Sequence, residues 1–559
     1  MMITVKQVSS LQKILPNTPI SCSEFKKKTA MRGEVFSYQI SLETTETLEF
    51  DINVDSDIRD NIKLYSVKNS IADFPAYTFA DNEYITKEVS LIPDMLMPLE
   101  LENNRLKIAN EPCSIWVYVT IPETIAPGTY PIDITFNLTE GFQKSRGEKF
   151  SITKTFLLNV IDKTIAKRKT IFTQWFHVDC IADIHNVKIY SEEHWDLIDK
   201  YMSLAANLGL NMILTPVITP PLDTEVGGTR PCTQLVKIER NDDGYTFDYT
   251  LLDRWIALCQ KNGFEYYEIS HLFSQWGLIY TPNIMIRENR KDYYMYSNEY
   301  YMFGWKVDAR SAEYKEFLEQ FLPSLINFLK EKGIKDKTWF HISDEPHLEH
   351  LESYKYAHDL VKPLIDGCTT FDALSDYAFY EKGLVDRPVT ATNFLKPFIE
   401  NNVKNQWAYY CCGQYNGVGN RFIAQESFKN RILGLQLYKY NIQGFLQWGY
   451  NFYYNQQSRQ LINPYITTSA DKAFPSGDPF SVYPIKNGVV PSLRALVFRE
   501  ALNDIQVCQT LEEIIGRDKV VDLIDSNAGM NITFSEFPKN NYFIPALFEI
   551  IERKISELC

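Results

Sequence analysis

Residues 338–365 read TWFHISDEPHLEHLESYKYAHDLVKPLI. TWFHISDE has the β-branched and aromatic content of a buried strand, and Pro346, which donates no ladder hydrogen bond, is placed to end it. From Leu348 to Ile365 the spacing turns helical. A strand that passes within a few residues into a helix is one β/α unit, and seven more candidates flank it. TIFTQWFHVD, NMILTPVIT and YYEISHLF precede it, and CTTFDALS, PVTATNF, QWAYYCCG and GFLQWGYNF follow. Each leads into a helical stretch or a long loop that enters one. The best helix is expected from about Ala309 to Lys332, where Tyr314, Phe317, Leu318, Phe321, Leu322 and Leu325 recur at i, i+3, i+4 spacing. Pro323 is expected to kink or split it and Gly333 to end it. Eight such units predict a (β/α)8 barrel of the TIM type. The alternative, a doubly wound open sheet, would want a Gly-rich phosphate loop, and none follows any of these strands.

Upstream, to about residue 165, EVFSYQISLE, LEFDINVD, SIWVYVTIP, TYPIDITFNL and FSITKTFLLNVID are rich in β-branched and aromatic residues, and several alternate apolar with polar between turn signals such as Ala126-Pro127-Gly128. This predicts an antiparallel β-sandwich, immunoglobulin-like, with a structural role. At 559 residues the chain exceeds one ordinary core. The expected division is a β-sandwich over 1–165, a catalytic barrel over 166–515 and C-terminal helices docked on the barrel over 516–559.

Composition narrows the partners. With 57 Lys and Arg against 71 Asp and Glu the formal charge is −14, which argues against nucleic acid and anionic membrane surfaces. No run of 18 apolar residues exists, and the start MMITVKQVSSLQKILP lacks a signal-peptide pattern, so a cytoplasmic location is expected. Ten cysteines without a CxxC pair indicate neither a zinc ribbon nor a disulfide framework. The neighbours Cys411 and Cys412 are read as buried small apolar residues on opposite faces of a strand. The 34 Tyr, 34 Phe and 9 Trp suit either an aromatic-rich core or the holding of sugar rings.

A barrel carries its chemistry at the C-terminal ends of its strands. There fall His177 and Asp179; Glu268, His271, Gln275 and Trp276; His341, Asp344 and Glu345; Asp372 and Asp376; Trp407, Tyr409 and Tyr410; and Trp448, Tyr450 and Asn451. One reading is a zinc site from His177, Asp179, His271 and His341. No HxH or HExxH spacing supports it, and no metal or other cofactor is expected. The other reading is glycoside hydrolysis, whose two carboxyls ordinarily approach the sugar from opposite sides, about 5–9.5 Å apart. Adjacent acids are poorly placed for that, and in a regular strand they point to opposite faces. They suit substrate assistance, in which the sugar's own 2-acetamido group is the nucleophile. Asp344, ionised, then orients the acetamide through its N–H, and its charge favours a protonated Glu345 that acts as the acid/base. The bland alternative is an acid pair capping the helix that begins near Leu348.

HISDEPH at 341–347, GFLQWGYNFYY at 444–454, GDPFSVYP at 477–484 and PSLRALVFREALNDIQ at 491–506 together resemble glycoside hydrolase family 123, the β-N-acetylgalactosaminidases. The resemblance implies a sandwich followed by a barrel and retaining, substrate-assisted, exo-acting release of terminal β-linked GalNAc. Its substrates would be glycosphingolipid-type oligosaccharides, with Asp344 orienting the acetamide and Glu345 as acid/base. The chain departs from the commoner family pattern at QWGY, where HWGY is usual, and at NDIQVCQ, where an acidic-aromatic run is usual; both bear on fine specificity. Sugar contacts are expected from Trp448, Tyr450 and Asn451, then Asp478 and Tyr483, with His177, His271 and Tyr409. KDYYMYSNEYYMFGW at 291–305 is expected to lie over the cleft and hold the aglycone, and Arg494, Arg499, Glu500 and Asp504 to form a salt-bridge network. The rivals are a conventional glycosidase pairing Glu345 with Asp179 or Asp372, and a non-catalytic sugar-binding barrel.

Overall fold

The strand segments fold as strands because their alternate side chains meet two different apolar surroundings. Ile171, Met212, Leu214, Trp339, Phe371, Val389, Trp407 and Leu446 pack against one another as an inner core. Their neighbours Phe172, Ile213, Tyr267, Phe340 and Phe445 pack with the helices outside. This period of two is what a barrel wall requires. The structure, a computed structural model, describes residues 3–140, 150–291 and 298–559.

Eight parallel strands, Ile171–Gln174, Met212–Thr215, Tyr266–Ile269, Thr338–Phe340, Thr369–Ala373, Arg387–Ala391, Trp407–Tyr409 and Gly444–Gln447, form one sheet in which the first lies beside the eighth. The ladder is interrupted only between the first and second strands, where Asn211 spans the gap. Its N–H donates to the Phe172 carbonyl at 3.1 Å, and its Oδ1 accepts the Phe172 N–H at 2.8 Å. The result is a nearly closed eight-stranded parallel barrel, and a helix lies between each strand and the next.

The predicted long helix spans Ala312–Glu331, capped by Ser311, whose Oγ accepts the Tyr314 N–H at 3.3 Å. Pro323 lies inside it without splitting it. Proline in a helix interior costs about 3 kcal/mol. Eight buried apolar side chains, Tyr314 to Leu329, outweigh that, because full burial of each contributes about 1.5–3 kcal/mol. The last long helix of the barrel, Leu493–Ile515, packs tightly on Ser427–Lys439. A Cβ on Gly434 would lie 2.3 Å from the Ala501 carbonyl oxygen, so only glycine permits that approach. Arg517–Ala528 and Phe543–Leu558 complete the C-terminal helices. Among the described residues no helix is long and apolar enough to cross a membrane.

The N-terminal domain consists of two five-stranded sheets, antiparallel except where Lys27–Arg32 pairs parallel with Ser151–Thr164. Phe36, Tyr38, Ile40, Phe50, Val117, Phe136 and Phe156 fill the space between them, with Tyr38 stacked on Phe156 at 4.1 Å. One edge of this domain grips the loop that follows the eighth barrel strand. Asp94 accepts both Arg494 Nε and Nη2, at 2.8 and 2.9 Å, and the Tyr483 hydroxyl at 2.6 Å. Asp73 accepts the hydroxyls of Thr467, Thr468, Ser469 and Ser476. The expected salt bridges of the last long helix therefore reach outside it. Arg494 pairs with the N-terminal domain, and Glu500 and Asp504 pair with Arg431.

The stretch at 291–305 is partly a strand. Glu299–Phe303 joins a four-stranded sheet with Ile284–Glu288, Lys237–Asn241 and Gly244–Asp248. Trp305 Nε1 donates to the Gly228 carbonyl at 2.7 Å. Residues 292–297 lie outside the described residues, and none of the described residues from 298 to 305 lines the cleft.

Candidate active site

Adjacent carboxyls can share one cavity only if the backbone between them reverses. The fourth strand ends at Phe340, and Glu345 has φ +46°, in the left-handed region that costs an L residue roughly 1–2 kcal/mol. The reversal is held from both sides. The Glu345 N–H donates to the Ala373 carbonyl at 2.9 Å, the Trp276 N–H to the Asp344 carbonyl at 3.3 Å, and Ser343 Oγ to the Ser274 carbonyl at 2.9 Å. Asp344 and Glu345 thereby both line a cavity at the C-terminal ends of the strands, with Trp175, His177, Tyr409 and Trp448 among its walls. A helix-capping role is not theirs, since neither carboxyl bonds the start of Leu348–His350. It is Asp376 that accepts the Leu348 N–H, at 3.1 Å.

The two carboxyls are held differently. Glu345 Oε1 accepts the Tyr409 hydroxyl at 2.8 Å. Asp344 Oδ2 accepts Gln275 Nε2 at 2.6 Å, and the Gln275 amide is itself fixed because its Oε1 accepts the Asp223 N–H at 2.5 Å. Among the described residues Asp344 Oδ1 is buried without a partner, and a buried acceptor left unpaired is costly. Burial, then the charge of Glu345, push the Asp344 carboxyl well above the usual carboxylate range, against the pull of the Gln275 hydrogen bond. The ionised state expected for Asp344 is thus opposed by its surroundings. Burial and the charge of Glu345 also push the Tyr409 phenol up, so it stays a donor.

Trp448 reaches the cavity with its indole Nε1 donating to Asp478 Oδ2 at 3.0 Å. Asp478 is fully buried and pushed up to about 7 by burial. It stands behind Trp448 and does not line the cavity, so its expected sugar contact becomes a buttress. His177 does line it, but both ring nitrogens are engaged. Nε2 lies 3.0 Å from the Trp448 carbonyl, and Nδ1 lies 3.2 Å from Arg230 Nη2. Nε2–H therefore donates and Nδ1 accepts, and burial with the Arg230 charge lowers the ring to about 3. It can offer a sugar only carbon edges.

Four other residues expected to contact sugar do not line the cavity. Past Gln447 the chain leaves the strand, and a Cβ on Gly449 would lie 2.3 Å from the Pro479 carbonyl oxygen, so this turn is pressed under the loop at 477–484. Tyr450 consequently stacks on Phe176 at 5.7 Å and donates its hydroxyl to the Tyr201 carbonyl. Asn451 bonds the His177 backbone through both side-chain atoms, at 2.9 Å each. Tyr483 is held by Asp94, and His271 is fully buried, stacked on His341 at 4.1 Å. Gln447, where the chain departs from HWGY, is also behind the wall: its Oε1 accepts Arg421 Nη2 and the Gly449 N–H.

Cys411 and Cys412, expected to be buried on opposite faces, are both half-exposed and line the same cavity, because the seventh strand already ends at Tyr409. Sequence reasoning passed over Leu222, Asp223, Phe474 and two buried arginines. Asp223 lines the cavity, and burial raises it to about 6. Arg421 ties Gln174, Gln447, Gly449 and Asp478 together. Arg230 binds both oxygens of Asp179, at 2.6 and 2.8 Å.

The arginine stands where the His177–Asp179 half of the zinc reading would place its ion. His271, His341 and Asp372 bring donor atoms within 4.8 Å of one another. The His341 nitrogens and both Asp372 oxygens are, however, already bonded within the protein. A larger cavity, about 530 Å³, lies between the N-terminal domain and Phe543–Leu558, where Lys28 pairs with Glu552 and Arg431 with Glu500.

The description of the glycoside hydrolase 123 catalytic domain matches residues 175–511. A family 123 glycoside hydrolase from Clostridium perfringens, studied for the details of glycolipid glycan hydrolysis, superposes with a TM-score of 0.72 at 17% identity over 100% of this chain and 98% of that one. A β-glucuronidase of Bifidobacterium dentium (TM-score 0.32, 11% identity, 89% of this chain and 66% of that one) and a family 5 mannosidase of Rhizomucor miehei (0.35, 8%, 64% and 96%) align more loosely. No curated protein sequence matches.

Proposed function

The chain belongs to glycoside hydrolase family 123, and from that membership we propose that it is a retaining, exo-acting β-N-acetylgalactosaminidase working through the 2-acetamido group of its substrate. The observation that carries this reading is Asp344 Oδ1, a buried acceptor without a partner among the described residues, next to a carboxyl held by Tyr409. An acetamide N–H is the donor that oxygen lacks. Accepting it favours the ionised form of Asp344 and turns the acetamide carbonyl oxygen toward the anomeric carbon.

Burial and the charge of Glu345 favour a proton on Asp344. Binding of the acetamide releases Asp344 from it and leaves Glu345 as the proton carrier. Glu345 protonates the leaving oxygen while the acetamide oxygen attacks, and Asp344 stabilises the oxazolinium-like charge. Glu345 then takes a proton from the water that opens this intermediate, with retention.

Conventional partners are poorly available. Both oxygens of Asp179 are on Arg230, and those of Asp372 are on His341, the backbone and Tyr354. Asp223 is the further carboxylate among the cavity walls and suits a sugar hydroxyl. Trp276, 45% exposed at the rim, suits the next sugar of a glycolipid-type glycan. We divide the chain as 1–165, 166–515 and 516–559, with an immunoglobulin-like sandwich that supports the cleft loop through Asp73 and Asp94.

Aryl β-glycosides test the proposal. The N-acetylgalactosaminide is turned over well, the N-acetylglucosaminide more slowly, and the galactoside, which lacks the nucleophile, hardly at all. Comparable turnover of the galactoside contradicts substrate assistance and favours a conventional pair including Asp223.

A further inference from the structure

Behind the carboxyl pair lies a buried chain of ionisable groups that the reaction does not touch. Glu268 Oε2 sits 3.1 Å from His341 Nε2, and His341 Nδ1 sits 3.1 Å from Asp372 Oδ1. The outer ends are closed by hydroxyls, Thr173 donating to Glu268 Oε1 and Tyr354 to Asp372 Oδ2, and all three ionisable side chains are fully buried. A neutral imidazole has one donor and one acceptor nitrogen. Both nitrogens of His341 face carboxyl oxygens, so the chain holds one proton more than a neutral ring between two ionised acids would. On the ring, that proton makes both bonds charge-assisted. Burial opposes the charge, but the hydrogen bonds that His341 donates to Asp372 and Glu268 overcome it and raise the ring to about 9. The stacked His271 is driven below its ordinary range by burial and by the His341 charge.

This chain is fastened to the segment that presents the acids. Asp372 accepts the Ile342 N–H at 3.0 and 3.2 Å through its two oxygens, and the Ser343 N–H at 3.5 Å. The next residue on one side is Asp344. On the other it is Ala373, whose carbonyl holds the Glu345 N–H. The groups facing His341 are Glu268 and His271 from the third strand and its end, Asp372 from the fifth strand, and Asp344 beyond its own. Trp175 and Phe371 shield the ring. Its positive charge favours ionisation of Asp344, and the negative charge of Asp372 opposes it.

We infer that Glu268, His341 and Asp372 form a positioning network that fixes the backbone presenting Asp344 and Glu345 and biases how that pair shares its proton. The inference rests on the reading of the pair as the acids of the reaction. None of the three lines the cavity, so they act through the pair and not on the sugar.

Two readouts test it. Histidine-selective ¹⁵N NMR of the full chain reads the network without substrate: one imidazolium persists past pH 8 and is absent from His341→Gln. Kinetics on an aryl β-N-acetylgalactosaminide read its effect. His341→Gln and Asp372→Asn each lower kcat about 100-fold, as misplacement by an ångström can, with KM changed far less. The limbs of the kcat/KM pH profile move up in His341→Gln and down in Asp372→Asn, by about one unit each. Opposite shifts are not what loosened packing produces. Profiles that superimpose on the wild type after scaling, or a His341 ring neutral at pH 7, overturn the inference. Should a variant fail to fold, the wild-type NMR titration still decides. If the wild type hydrolyses no N-acetylgalactosaminide, the catalytic reading fails while the NMR result stands.

Discussion

Glu345→Ala lowers kcat on a glycan or alkyl β-N-acetylgalactosaminide by about 10²–10⁴-fold, the range expected when a positioned general acid is removed. The loss is much smaller on an activated aryl glycoside, whose leaving oxygen needs little protonation. There the slow step becomes opening of the oxazolinium-like intermediate, because water has lost its base. Azide needs none, so added azide restores rate and yields the β-glycosyl azide. The cavity geometry makes this a local change: Glu345 meets Tyr409 through one oxygen only, and its backbone remains held by Ala373. Equal losses on good and poor leaving groups, without azide rescue, would remove Glu345 from the acid/base role.

Asp344→Asn is the second large effect and has the opposite signature. The variant keeps the shape of the side chain but replaces an ionised acceptor with an amide, beside a Gln275 amine that already donates to it at 2.6 Å. An acetamide N–H then has no charged partner, and the developing oxazolinium charge loses its counter-ion. A fall of about 10²–10³-fold in kcat is expected, as for removal of one oxyanion-type interaction of opposite sign. It appears on good and poor leaving groups alike, since formation of the intermediate is what is slowed, and azide does not rescue it. Near-normal rates for this variant would contradict the acetamide role.

The barrel was legible because eight short segments rich in β-branched and aromatic residues each lead toward a helical stretch, a pattern that survives inexact strand ends. That Asp344 and Glu345 enter one cavity was legible from Pro346, which implied the chain break that the left-handed Glu345 supplies. The walls of the cavity were legible only in part: Trp448, Tyr409 and His177 line it, and the other expected contacts do not. Reading Tyr450 and Asn451 as cleft residues extended the eighth strand past Gln447, whereas the Gly449 approach to Pro479 turns both residues into the core. Cys411 and Cys412 were misplaced by the same extension of the seventh strand. Leu222, Asp223 and Arg230 lie in a long irregular connection after the second strand, and Arg421 lies in another after the seventh, where no periodicity marks a residue. Arg230 in particular is visible only in three dimensions, where it occupies both Asp179 and His177 and closes the zinc reading that those two residues invite.

Substrate assistance has one consequence that no conventional pair of carboxylates shares: the rate depends on the nucleophilicity of the acetamide oxygen. Aryl β-N-acetylgalactosaminides whose acetyl group carries zero, one, two or three fluorines vary that nucleophilicity with little change in size. The account predicts that log kcat/KM for the wild type falls steeply and linearly with each fluorine. A flat series, with the trifluoroacetamide hydrolysed as fast as the parent, would contradict it.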